Sequence, residues 1–266
     1  MLDLLRYEFM RNALVAGILA SLACGIIGAL VVVKRISLVS GGISHAAFGG
    51  VGLGYLLNFD PVLGALLFAL ASSLGMGLIR ERARISEDSA IGILWVTGMS
   101  LGVLFIGLRA GYTPDLFSYL FGNILTVSLL DIAMISVLDA VIMLIVLAFY
   151  KELLALSFDE EFATIRGVPT RYVYLILLSM VALTVVVLIR IVGVVLVIAM
   201  LTLPATIAWR FSYKLHQIML SSTVLSAIFT ICGLWLSYIL NSASGATIVL
   251  VSVAAFILSS TLKPLR

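Results

Sequence analysis

The chain has 266 residues, 63% hydrophobic and 11% charged, and a mean hydropathy of +1.26. A soluble domain carries about a quarter charged residues, so a chain this apolar cannot hide its side chains in one water-facing globule and reads as an integral membrane protein. The net charge of +3 is too small to mark a nucleic-acid partner, and the two cysteines, Cys24 and Cys232, show no Cys-x-x-Cys pattern and read as small interior residues.

A membrane-crossing helix takes about 20 mostly apolar residues. Such stretches fall at 12–33, 37–57, 61–79, 89–108, 124–149, 172–189, 191–209, 216–240 and 245–262. They predict an all-α, polytopic membrane bundle in a single domain, 1–266. It has nine spans, or eight if the sixth and seventh, divided only at Arg190-Ile191, make one span and a re-entrant piece. The first stretch is as long as a full span and no small-residue cleavage site follows it, so it reads as a retained helix. Residues 3–11 read as a short amphipathic piece along the membrane surface.

The second stretch contains SGGISHAAFGGVG, residues 40–52. As a helix it aligns Gly42, Ala46, Gly50 and Gly54 in one stripe, the kind that lets membrane helices approach closely. Gly41, His45, Gly49 and Gly52 form the adjoining stripe, and Phe48, Val51 and Tyr55 a bulkier face. His45 is the one histidine at membrane depth. An ionisable group there defaults to a functional hypothesis, although a satisfied interior histidine is the plainer alternative.

Other polar positions follow in chain order. Asp60 precedes Pro61 in a tight turn. Asp115 and Asn123 flank LFSYLFG, either as a solvated loop or as a contact for a partner. Asp131 and Asp139, eight apart, project from about the same face of the fifth span, as pathway or helix-contact groups. Arg190 reads as an interface anchor. Pro204 inside TLPAT is expected to kink its helix, with Thr202 and Thr206 satisfying the freed backbone groups. Met200 reads as packing and His216 as solvated.

The stretch KELLALSFDEEFATIRGVPTR, residues 151–171, is the densest in charge, with seven charged residues in 21. Ser157 and Glu160 form a capping-box pattern. Asp159, Glu160 and Glu161 lie in the first turn, where the helix dipole favours anions. Phe158, Phe162 and Ile165 share one face. Arg166 ends the helix, Gly167 suits a left-handed residue after it, and Pro169 stops it. Such a segment either rests on lipid headgroups or docks a partner through its aromatic ridge.

Lys and Arg set the orientation. One side collects Lys34, Arg35, Arg80, Arg82, Arg84, Lys151, Arg166, Arg171, Arg210, Lys214, Lys263 and Arg266, twelve of the 16 basic residues. It is expected to face the cytoplasm, together with the C-terminus. Arg6, Arg11, Arg109 and Arg190 fall on the other side. The longest polar stretch is about as long as one span, and no Gly-x-x-x-x-Gly-Lys-Ser/Thr occurs, so energy for any active transport is expected from an ion gradient or from a separate subunit.

Six stretches in order resemble the permease subunit of binding-protein-dependent ABC importers of divalent metals (zinc, manganese, iron), the ABC-3 family. They are GALVVVKRISLVSGGISHAAFGGVGLGYLL, ISEDSAIGILWVTGMSLGVLF, DLFSYLFGNILTVSLLD, LSFDEEFATIRGVPTR, VGVVLVIAMLTLPATIAW and GLWLSYILNSASGATIVLV. The resemblance implies a transport component of a prokaryotic inner membrane, not an enzyme. Its cargo is a divalent metal, zinc or manganese first, and it holds no permanent cofactor. The implied partners are a second permease copy in a homodimer, two cytoplasmic ATPase subunits and an extracytoplasmic metal-binding protein. Residues 157–167, with Phe158, Asp159, Glu160, Glu161, Phe162, Ile165, Arg166 and Gly167, become the coupling helix.

The resemblance also implies a metal contact at His45, with Asp131 and Asp139 as weaker pathway candidates. Many family members carry Gly-Asp-Ala-Leu-Ser-His here, whereas this chain has Gly41 at the acidic position. His45 then binds transiently with ligands from elsewhere or from the second copy, or it gates. Two other transport classes are a gradient-driven transporter, for which no internal repeat is evident, and a permease for a metal chelate. An intramembrane enzyme lacks its motifs, His-Glu-x-x-His and Gly-x-Ser-x-Gly.

Overall fold

A computed structural model describes residues 7–82, 86–109 and 116–262, so Arg6, Arg84, Asp115, Lys263 and Arg266 lie outside the described residues. Among the described residues every regular element is helical. The helices are α1 (Glu8–Lys34), α2 (Ser37–Leu57), α3 (Pro61–Arg82), α4 (Glu87–Gly107), α5 (Leu116–Phe121), α6 (Leu129–Ala148), α7 (Tyr150–Phe158), α8 (Glu160–Ile165), α9 (Thr170–Val192), α10 (Val197–Phe211), α11 (Leu215–Leu240) and α12 (Ser244–Thr261), with a 3-10 turn at Ile124–Thr126.

Seven of these helices are long and apolar enough to cross a bilayer, namely α1, α3, α4, α6, α9, α11 and α12. This corrects the expected eight or nine, for reasons that differ between the two remaining candidates. α2 has 21 residues but is diluted by glycine, serine and His45. It is buried along most of its length, so protein rather than lipid sets its composition. α10 has only 15 residues, about 22 Å of rise against a hydrocarbon core of about 30 Å.

Helix boundaries follow local chemistry. Residues 8–11 do not lie apart as a surface piece but form the first turn of α1. The fifth stretch becomes a helix only at Leu129. There the Ser128 hydroxyl accepts from the Asp131 N–H, and the Asp131 carboxylate accepts from the Ser128 N–H, in a complete capping box. α9 runs through Arg190 to Val192, so the break falls after the expected Arg190-Ile191, at Gly193 with φ +79°. The break is fastened from outside: Val194 N–H donates to Tyr119 O at 2.9 Å and Val195 N–H to Leu120 O at 3.1 Å. A Cβ on Gly193 would collide with the Gly122 backbone.

α1 and α9 form the middle of the bundle, with 78% and 72% of their spanning windows buried, against 22% for α6 and 28% for α4. α2, α3 and α4 pack chiefly on one another. α1 packs on α6, α9, α10 and α11, and it touches α2 only slightly. Cys24 is buried in α1, whereas Cys232 faces outward from α11, contrary to its reading as an interior residue. α10 passes through Pro204 as one helix. The neighbouring hydroxyls do not take over the carbonyl that Pro204 frees, that of Met200. Thr202 Oγ1 donates to Ile198 O and Thr206 Oγ1 to Thr202 O, both at 2.7 Å.

Candidate functional site

α2 is wedged between α3, which runs antiparallel to it, and α4, which runs parallel. Both predicted small-residue stripes make these contacts. A Cβ on Gly50 would collide with the Gly64 carbonyl of α3, and one on Gly54 would lie 2.7 Å from Pro61 Cα. On the other side, Gly42 faces Ile91, Gly52 faces Gly102, and the Ala46 backbone closes on Gly98, all on α4. The bulkier face is enclosed as well, with Phe48 lying over Gly102.

His45 sits near the middle of α2 and is 6% exposed. Its Nδ1 lies 2.9 Å from the Gly41 carbonyl oxygen, and Ser44 Oγ donates to the same oxygen at 2.9 Å. A carbonyl only accepts, so this contact assigns the ring proton to Nδ1 and leaves the Nε2 lone pair open, the arrangement a histidine ligand uses. The imidazole stacks on Trp95 of α4, with centroids 3.8 Å apart and planes at 19°. A Cβ on Gly41 would meet Trp95 Cζ3 and Ile198 Cδ1, each at 3.3 Å. His45 therefore sits where α2, α4 and α10 meet.

The two acidic candidates occupy other places. α6 packs on α1, α7 and α9. Asp131 is engaged at the start of α6, in the cap with Ser128 and in an ion pair with Arg190 Nε at 3.2 Å. Asp139 is buried on the face of α6 that carries Ile135, Ile142 and Val146, and neither carboxylate oxygen has a hydrogen-bond partner. Among the described residues no three of His, Cys, Asp and Glu are placed to hold a metal ion together. Asp60 caps the start of α3, accepting from Val62 N–H at 2.7 Å. Met200 is buried beside Ser252, and His216 is exposed in the first turn of α11.

At the end of α2 beyond His45, two touching rings are flanked by a cation on either side. The Arg109 guanidinium donates to Asn58 Oδ1 at 3.3 Å and lies 5.4 Å from the Tyr55 ring centroid. Tyr55 meets Tyr119 edge-on at 5.7 Å, and Arg190 lies 5.7 Å from Tyr119. Arg190 thus serves this series and Asp131 rather than only anchoring an interface. Tyr119, Asn123, Thr126, Val127, Asp131 and Arg190 together line a small pocket.

At the opposite end, α7 and α8 form a bent pair. The cap of α8 is Asp159, whose Oδ1 accepts from Phe162 N–H at 2.9 Å. This corrects the expected Ser157–Glu160 box, because α7 continues through Ser157 and buries it. Glu160 and Glu161 do occupy the first turn of α8. The helix ends at Arg166, followed by Gly167 at φ +82°, and the Val168 N–H returns to Ala163 O at 3.0 Å. Phe158, Phe162 and Ile165 are 55%, 51% and 81% exposed, but they do not share one helix as expected: Phe158 ends α7, and the extended Asp159 separates it from Phe162 and Ile165 on α8. Arg166 lies 5.1 Å from the Phe162 ring.

Four features escape a reading of the chain alone: Trp95, the Tyr55–Tyr119 contact, the Arg190–Asp131 pair, and an ion pair between Lys34 and Glu160 at 2.7 Å. Each joins residues at least fifty positions apart. The sole local signal was Trp95 itself, a large ring with an N–H to satisfy inside an apolar helix.

Comparison with known proteins covers nearly the whole chain. Residues 6–263 match the ABC 3 transport family. An uncharacterised membrane protein of Synechocystis sp. is 44% identical over 97% of this chain and 92% of its own length. The manganese transport system membrane protein MntC of Listeria monocytogenes is 34% identical over 98% of this chain and 93% of its own. Among solved structures, PsaBC from Streptococcus pneumoniae, in complex with Fab, matches with a TM-score of 0.89 at 33% identity, covering 98% of this chain and 94% of that one.

Proposed function

We propose that this chain, which belongs to the ABC 3 transport family, is the membrane-spanning permease subunit of an ATP-driven importer of divalent metal ions. The similarity of relatives named as manganese transport membrane proteins supports manganese ahead of zinc as cargo. The permease would work as two copies, with cytoplasmic ATPase subunits and an extracytoplasmic metal-binding protein, in the inner membrane of a prokaryote. The end that carries Lys34, Lys151, Arg166, Arg171, Arg210 and Lys214 faces the cytoplasm by the excess of basic residues, and the C-terminus lies there too.

The observation that carries this reading is α8. It is a capped helix at the basic end whose Phe162 and Ile165, with Phe158 at the end of α7, stand exposed among the described residues. An exposed set of two aromatics and an isoleucine at the α7–α8 bend, with Arg166 beside Phe162, has the composition of an interface anchor. Metal arrives from the far end, past the Tyr55–Tyr119 contact, and meets His45 Nε2. One neutral nitrogen holds a divalent ion weakly, which suits passage, since a tight site would trap the ion. The indole of Trp95 keeps the imidazole plane fixed, so the lone pair keeps one direction.

Co-purification with the ATPase tests the docking role. The wild-type chain is expected to retain the ATPase, and Phe162→Asp to lose it with the membrane fold intact. A Phe162→Asp complex that assembles and transports normally refutes the role given to α8.

A further inference from the structure

The described helices fall chiefly into two packing groups. α2, α3 and α4 hold one another, α1 belongs with α6, α10 and α11, and α9 packs against both groups while α10 also reaches α2. The covalent joint between α1 and α2 is only two residues, Arg35 and Ile36. It has little slack. Arg35 adopts φ 63° and ψ 35°, its N–H donates to Val32 O at 3.1 Å, and the N–H of the buried Ile36 donates to Val31 O at 3.0 Å. A displacement at Lys34 therefore reaches the first turn of α2 almost undamped. His45 lies eight residues beyond Ser37, about 12 Å along the helix.

The last residue of α1 is also the point that α8 grips. Lys34 Nζ lies 2.7 Å from Glu160 Oε2, across 126 positions of sequence, and the two side chains are 13% and 33% exposed. Glu160 is the first residue of α8, next to the cap Asp159 and two positions before Phe162. A mostly shielded pair with a short contact is less screened by salt than an open surface pair. One end of this pair is on the helix that bears the exposed Phe162 and Ile165, and the other is at the joint between the two packing groups.

We propose that the Lys34–Glu160 ion pair transmits movement of α8 to α2, and thereby to His45, so that Lys34 is a positioning residue for transport. The proposal rests on the reading of α8 as the ATPase dock. A partner that pushes α8 shifts Glu160, Glu160 carries Lys34, and the tight Arg35–Ile36 turn passes the shift to α2. α2 is packed tightly on α3 and α4, backbone against backbone at Gly50–Gly64 and Gly52–Gly102 and with Phe48 over Gly102, so the shift is carried by the three helices together.

The test uses the full complex of permease, ATPase and binding protein in liposomes, with manganese as the probe, and compares Lys34→Gln and Lys34→Arg with wild type. Lys34→Gln is expected to retain the ATPase and hydrolyse ATP, while metal taken up per ATP falls about five-fold or more. Lys34→Arg, which keeps charge and reach, is expected to restore most of that ratio. An unchanged ratio in Lys34→Gln overturns the proposal. So does failure of both variants to assemble, since the pair then only holds the fold together. Phe162→Asp separates this from the parent reading: if it releases the ATPase while Lys34→Gln couples normally, only the link is wrong.

Discussion

His45 has one ring nitrogen committed to Gly41 and one face covered by Trp95, and these two contacts make different predictions. His45→Ala removes the lone pair and is expected to lower metal uptake most at low metal concentration, as a loss in the KM direction. Trp95→Ala leaves the nitrogen but frees the ring, and is expected to weaken uptake with Trp95→Phe as a partial rescue. Concentration-dependent uptake curves for the three variants separate the roles. Gly41 explains itself at this scale. A side chain there would press on Trp95 and Ile198, so the absence of an acid next to His45 goes with the indole that fills the space. Asp131 shows how a local signal can be passed over. Ser128-Leu129-Leu130-Asp131 is a capping pattern plain in the chain, yet the acid within an apolar stretch drew a pathway reading instead. Its partner Arg190 is 59 positions away, and no periodicity reveals such a pair.

At the scale of elements, the helical period of small residues in α2 was readable because it depends only on residues three and four apart. What each stripe touches was not, since α3 and α4 are placed by tertiary packing. Gly50→Leu places a branched side chain on the Gly64 carbonyl. It is expected to block the α2–α3 contact and to yield little folded protein, as measured by detergent-stable monodisperse recovery, whereas Gly75→Leu, with open space around its Cβ, is expected to be tolerated. The expected cap of α8, Ser157 with Glu160, gives way to Asp159 two residues on. The sequence does not say where α7 stops, and that decides it. Gly167 was legible because only a left-handed residue ends a helix in this way. Gly167→Ala is expected to cost about 1 kcal/mol in thermal stability of the complex, the usual penalty for a Cβ at positive φ, without changing cargo preference.

For the whole molecule, composition alone points to the membrane, and the basic residues give a direction across it. The number of crossings did not follow as directly. Hydropathy counts lipid-facing helices well, but α2 is enclosed by protein and α10 is short beside a broken junction, so composition and length no longer track crossing. The two ends of the bundle carry different chemistry. Two touching rings flanked by cations lie at one end, and the α7–α8 pair with its exposed apolar side chains occupies the other, with His45 between them. That polarity is what a one-way path needs.

Uptake of manganese into sealed liposomes holding the permease, its ATPase and the binding protein tests the central claim most directly. Accumulation is expected only with ATP present and the binding protein on the opposite face from the ATPase, to be abolished by Phe162→Asp, and to persist when ion gradients are collapsed. Accumulation driven by an ion gradient without ATP, or equal uptake with and without the ATPase, contradicts the account.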